Sequence, residues 1–157
     1  MLNQTTITAI QSLIYITLSG GQKPISPAEI AGHLDASQAY LSKINTDLVK
    51  AHILRAHRGA KGGVMLARPP AQVTLLDVVE ACQGRILGDY CQPHDDTSAV
   101  CAFHVAMQAL QDAVLNTLGA WTIQDLAEKP MPVKHLRGKV LCRTACACPN
   151  PKRKRHP

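Results

Sequence analysis

A chain of 157 residues suffices for one compact domain with a real core and is too short for two full ones. Only 3% of it is aromatic against a hydrophobic share of 46%, so the core must be built from Leu, Ile, Val and Ala, which suits packed helices better than a β-sandwich. Lys and Arg number 17 against 11 Asp and Glu, and the net charge of +6 favours a polyanionic partner, nucleic acid first and an anionic membrane second.

No stretch approaches the roughly 18–20 apolar residues needed to span a bilayer, and the N-terminus lacks a basic segment followed by an apolar run and a cleavage site. The expected location is therefore the cytoplasm, without a membrane partner. In that reducing compartment six cysteines read as metal ligands or redox groups rather than as a disulfide framework.

The first predicted element is a helix from about Leu2 to Leu18, with Ile7, Ile10, Leu13, Ile14 and Leu18 at helical intervals and Gly20–Gly21 ending it. Ser26-Pro27-Ala28-Glu29 combines an N-cap serine, a proline at N1 and a glutamate at N3, opening a short helix that turns inward Ile30 and Leu34. After a turn at Asp35-Ala36, Ser37 caps a further helix that buries Leu41, Ile44 and Leu48 and exposes Gln38, Ser42, Lys43, Asn45 and Thr46.

Beyond Ile53 the pattern becomes that of a hairpin. Leu54–His57 reads as a strand, Arg58–Gly63 as a glycine-rich turn and Val64–Ala67 as the return strand. Thr74 caps a helix containing Leu75, Leu76, Val78 and Val79 that ends near Gly84, with Cys82 on its apolar face as a core residue. A short polar loop spans Gly88 to Ala99. From Val100 a long helix carries Phe103, Met107, Leu110, Val114, Leu118 and Trp121, a near-heptad stripe that fits a seam against the same helix of a second subunit or packing on its own domain. From Pro130 onward the tail ends in the basic run Lys152–Arg155. The fold class expected is mainly α with a small two-stranded β wing, a winged helix-turn-helix plus a long dimerisation helix.

Three segments carry a family likeness: Tyr40-Leu41-Ser42-Lys43-Ile44 running on through Leu48 and Lys50 to Ile53-Leu54; Arg58-Gly59-x-x-Gly62-Gly63-x-x-Leu66-Ala67; and Trp121-Thr122-Ile123-x-Asp125-Leu126. On them the sequence resembles the Rrf-two (BadM) family of bacterial winged helix-turn-helix transcriptional regulators, in its IscR- and NsrR-like branch, over roughly residues 1–130. The resemblance implies a homodimer on a palindromic stretch of double-stranded DNA, with a recognition helix of each subunit in successive major grooves. Ser37, Gln38, Tyr40, Ser42 and Lys43 would face DNA, and Arg58 would enter the minor groove with Lys61 beside it. The side chains suit those roles: Gln reads adenine edges, Ser and Lys hold phosphate, and Arg fits a narrow electronegative groove.

In the family's iron–sulfur members three cysteines precede the dimerisation helix, and a histidine can follow the third. Cys91 matches the first, Cys101 and His104 match the last cysteine and its histidine, and the middle cysteine is missing, with His94, Asp95 and Asp96 in that stretch. Three readings stay open. Cys91, Cys101 and His104 hold an iron–sulfur cluster, two-iron rather than four-iron, with a fourth ligand from His94, an aspartate or the partner subunit. The same residues bind one zinc ion. Or they bind nothing, and Cys91 or Cys101 is a reversible thiol switch or without a role. The tail group Cys142, Cys146 and Cys148 is close-spaced enough for a metal, with His156 as a further donor.

The organisation expected is a DNA-binding domain over residues 1–84, a sensor loop over 85–100, a dimerisation helix and following segment over 100–130, and a tail over 131–157. An enzyme is excluded, for no nucleophile–base–orienter set or phosphate loop is present. A winged helix serving protein contacts is the remaining alternative.

Overall fold

Residues 4 to 18 contain no charged side chain, and the fold is arranged to enclose them. In the computed structural model, which describes residues 2–20, 23–59, 62–86, 98 and 100–128, this segment is helix α1 (Gln4–Leu18). It is followed by α2 (Pro27–Leu34), α3 (Gln38–Lys50), strands β1 (Leu54–His57) and β2 (Gly63–Leu66), a 3-10 turn at Pro70–Gln72, and helices α4 (Leu75–Gln83), α5 (Ala102–Ala120) and α6 (Ile123–Glu128). Helices α2, α3, α4 and α6 and strand β2 all pack on α1. Thr6, Thr8 and Ser12 are buried along with Ala9, Ile10, Leu13, Ile14 and Ile16. Leu18, expected on the buried stripe, is the last residue of the helix and is 42% exposed. Leu13, Ile16, Leu41, Ile44, Leu48 and Ile53 are fully buried, and each contributes roughly 1.5–3 kcal/mol relative to exposure.

The helix ends follow their sequence signals. Asn3 caps α1 by accepting from Thr6 N at 2.9 Å, Ser26 caps α2 by accepting from Glu29 N at 3.1 Å, and Ser37 caps α3 by accepting from Tyr40 N at 3.2 Å. Asp35 takes the left-handed conformation that reverses the chain between α2 and α3. At the end of α3, His52 takes it too (φ 56), while His52 N donates to Val49 O and Ile53 N to Leu48 O. That pair of bonds is a Schellman closure, and it turns the chain directly into the wing.

The two strands pair antiparallel with Leu54 opposite Leu66 and His57 opposite Gly63, so β2 begins one residue before the span expected from sequence. A third, one-residue edge joins them: Ile25 N donates to Val64 O and Val64 N to Ile25 O, both at 2.9 Å. This main-chain contact docks the wing on the segment before α2. Gly63 permits it, since a methyl group there would fall inside the Ile25 carbonyl, and one on Gly62 would meet the carbonyls of His57 and Gly59.

Helix α4 opens on a reciprocal capping box, Asp77 N donating to Thr74 Oγ1 (3.1 Å) and Thr74 N to Asp77 Oδ2 (2.8 Å). The long helix starts later than expected, at Ala102 with Cys101 as its cap, and stops at Ala120. Trp121, read as the last member of the helical stripe, is instead extended backbone: the chain there pairs with the start of α4, Leu75 N donating to Trp121 O (2.8 Å) and Ile123 N to Val73 O (2.9 Å). Ile123 thereby returns to the core, fully buried. Among the described residues, no helix is long and apolar enough to cross a membrane.

The Gly63 contact predicts that Gly63→Ala destabilises the protein by about 1–3 kcal/mol through forced separation of the wing from Ile25. Denaturant unfolding measures it, and an unchanged midpoint contradicts the docking role.

Candidate nucleic-acid interface and sensor residues

Helix α3 presents one face to the core and the opposite face to solvent. Leu41, Ile44, Asn45 and Leu48 are buried, whereas Ser37, Gln38, Ala39, Ser42, Lys43 and Thr46 are exposed. Gln38, Ser42 and Lys43 therefore stand where the sequence placed them. Asn45 does not: it was expected on the exposed face and is 4% exposed, with neither side-chain amide atom bonded among the described residues. Its position one residue after Ile44 carries it under the helix. Tyr40 is half-buried, and its hydroxyl donates to Thr5 Oγ1 at 3.2 Å, so it both borders the exposed face and fastens α3 to α1.

Helix α2, the support under α3, is held by an aromatic contact. Tyr15 stacks on His33 with ring centroids 4.3 Å apart and donates from its hydroxyl to Glu29 Oε1 at 3.2 Å. Burial and the Glu29 carboxylate push the Tyr15 phenol above its usual pKa, keeping it a donor.

Arg58 is exposed at the end of β1, at the wing tip, beside Gly59 in a positive-φ conformation (113°). Lys61 lies outside the described residues. The strand adds two groups that the motif reading passed over: Arg55 and His57 are exposed and, two residues apart on a strand, share a face of the ribbon. The signal for them in the sequence is the polar side chain at every second position of Leu54–His57. Lys43, Arg55 and Arg58 form no ion pair among the described residues, whereas Lys50 pairs with Asp47 at 3.6 Å and Arg68 with Asp77 at 2.9 Å. The exposed α3 face and the wing thus carry positive charge without local compensation, the electrostatic form of a polyanion-binding surface.

The sensor residues are only partly within the described structure. Cys101 is exposed at the N-cap of α5, and His104 follows one turn later, half-buried. Cys91, His94, Asp95, Asp96, Cys142, Cys146, Cys148 and His156 lie outside the described residues. Among the described residues, no three His, Cys, Asp or Glu side chains converge as a metal site. Cys82 is half-buried against the core, and its thiol is pushed up to about 11 by burial first and by Asp47 second, so it stays protonated and inert near neutral pH. A shallow concavity of about 430 Å³ between the end of α1, β2 and α6 is lined by Thr17, Leu18, Leu66, Gln124 and Glu128 among others. Its lining holds no nucleophile–base pair.

The chain was compared with known proteins. The family model described as "Rrf2: Iron-dependent Transcriptional regulator" matches residues 2–129. The chain is 28% identical over 141 residues to protein aau3 of Rhizobium meliloti (strain 1021), covering 87% of this chain and 91% of the relative. It is 27% identical over 132 residues to the HTH-type transcriptional regulator NsrR of Geobacillus kaustophilus (strain HTA426), covering 82% and 90%. Its fold superposes on CymR, the global cysteine regulator of B. subtilis, with a TM-score of 0.67 at 24% identity, over 82% of this chain and 96% of CymR.

Uncompensated cations leave an ionic signature. In titrations of a duplex at several salt concentrations, Arg58→Ala and Lys43→Ala are each expected to lower the slope of log affinity against log salt by about 0.9. An unchanged slope for both would put these cations off the path of the DNA backbone.

Proposed function

Because a single family model spans residues 2–129, this chain belongs to the Rrf2 family of DNA-binding transcriptional regulators, and from that premise we propose that it acts as a homodimer on a palindromic operator in double-stranded DNA. The observation that carries the reading is the exposed polar face of α3, with Gln38, Ser42 and Lys43, next to a wing whose Arg55 and Arg58 form no ion pair among the described residues. Ser37, Gln38, Tyr40, Ser42 and Lys43 face the major groove in this reading. Arg58 enters the minor groove, with Lys61 beside it on the phosphates.

The dimer is supported by α5. Asp112 and His104 are the two acidic or basic residues among its 19 positions, and Phe103 (61%), Val105 (41%) and Leu110 (46%) are exposed. A helix so poor in charge and so open needs a cover, and its twofold copy supplies the same stripe. Two recognition helices then sit about 34–36 Å apart, one helical turn of DNA. Residues 1–84 serve as the DNA-binding unit, 85–100 as the sensor loop and 100–130 as the dimerisation segment.

The sensor in this reading is a two-iron iron–sulfur cluster, which Cys91, Cys101 and His104 would hold together with a fourth ligand from His94, an aspartate or the partner subunit. Two thiolates and an imidazole suit such a group, and Cys101 stands exposed at the start of α5 with His104 one turn along the same helix. The cluster supplies an equilibrium sensitive to redox state, iron or nitric oxide. Cys101 and His104 make α5 the element on which that equilibrium acts, and α5 sets the spacing of the two recognition helices. A second reading is a thiol switch at Cys101. Its exposed thiol and the lack of a third cysteine between Cys91 and Cys101 favour it, as does the fold shared with a regulator named for cysteine.

Anaerobic purification followed by an absorption spectrum, iron, sulfide and zinc analysis and a solution mass decides among these. The expected result is a coloured protein with iron and sulfide in equal amounts and a mass twice that of the chain. Colourless protein without iron overturns the cluster in favour of the thiol switch, or of the zinc site if zinc is bound stoichiometrically. A monomer overturns the dimer.

A further inference from the structure

The wing has two anchors. One is the main-chain edge with Ile25. The other lies where the chain leaves β2. There Ala67 N donates to Ile53 O (2.9 Å), and the next side chain, Arg68, places Nη2 2.9 Å from Asp77 Oδ2. That same carboxylate oxygen accepts from Thr74 N at 2.8 Å, so one atom both closes the capping box of α4 and holds the exit of the wing. Arg68 Nε is buried without a hydrogen-bond partner among the described residues, so the contact with Asp77 is made through Nη2. The carboxylate also sits in the first turn of α4, where the helix dipole favours its charge.

The first turn of α4 is a junction. Thr74 bridges Thr122, and Leu75 N donates to Trp121 O, tying in the end of α5. The far end of α4 packs on the start of α1 through Gln83 Nε2, which donates to Thr6 Oγ1 at 2.8 Å, and then opens at Gly84 into the segment that carries the sensor residues. Arg68 thus links the wing to the helix that borders both the recognition helix α3 and the dimerisation helix α5.

We propose that Arg68 is a positioning residue for DNA recognition: through Asp77 it sets the angle at which the wing presents Arg58, and it makes that angle depend on the placement of α4. This rests on the reading of the wing as a DNA contact. Arg68 lies past the end of β2 and Arg58 past the end of β1, at opposite ends of the ribbon, so Arg68 acts through the wing and not on the duplex. Both partners are about one-third exposed (35% each), so the pair is screened and its removal is expected to weaken binding by about three- to fivefold rather than to unfold the protein.

The experiment is a double-mutant cycle on the full chain, using a duplex that the wild-type protein selects from a randomised pool. Arg68→Met is expected to lower affinity three- to fivefold with an unchanged salt slope, and to cost less than twofold when Arg58→Ala is already present. Asp77→Asn keeps an oxygen for Thr74 N, removes the charge and should reproduce Arg68→Met; it carries the cycle if Arg68→Met fails to fold by circular dichroism. Equal losses in both backgrounds, or a salt slope reduced by about one, overturn the proposal, the second by making Arg68 a direct phosphate contact. Wild-type protein that selects no duplex overturns the DNA reading itself, a failure visible before any variant is made.

Discussion

The fold depends on burying most of one uncharged helix. Helix α1 has no charged residue with which to face water, so α2, α3, α4, α6 and β2 are gathered around it. Its buried polar groups are met mostly from within. Thr8 Oγ1 donates to Gln4 O (2.9 Å) and Thr17 Oγ1 to Leu13 O (2.8 Å), which hides hydroxyls in the helix's own backbone. Thr6 accepts from Gln83 across the helix pair. With α1 fixed, α3 can bury Leu41, Ile44 and Leu48 in only one orientation, and its exposed face follows from that burial.

The wing is held by backbone hydrogen bonds as well as by the burial of Leu54 and Val64 in the core. Ile25 and Val64 exchange both of their main-chain hydrogen bonds, and Gly62 and Gly63 leave the room this needs. The ribbon is only four residues long on each side, and Arg58 follows directly on the end of β1. Of the three signature glycines, Gly62 and Gly63 leave clearance to neighbouring carbonyls, and Gly59 takes a positive φ of 113°.

Much of this was legible in the sequence, and the misses share a cause. Capping residues Ser26, Ser37 and Thr74 gave the helix starts because they act locally, through bonds to the next few amides. The wing was legible from its glycines and from the family pattern. Helical periodicity, in contrast, assumes one wet face. It passes over Thr6, Thr8 and Ser12 because the buried part of α1 is much wider than one stripe, and it assigns Leu18 to the core although this last residue of the helix is exposed. Asn45 was placed by its polarity although its position carries it inward. Trp121 continued an apolar rhythm past the point where the backbone becomes extended to pair with α4, a non-local contact that no window of sequence contains. The pair Cys101 and His104 was visible as spacing, and the structure gives it a setting at the start of α5.

The core fixes α3, and the Ile25 edge and the Arg68–Asp77 pair hold the wing. In the proposed function α3 and the wing together form the surface that meets DNA. Amide hydrogen exchange of the protein with and without a duplex it selects tests this most directly, since exchange reports protection segment by segment. The account predicts slowed exchange in the first turns of α3 and across residues 54–66, with α6 unchanged. Protection confined to α5 or α6, with α3 and the wing exchanging as in the free protein, would contradict it.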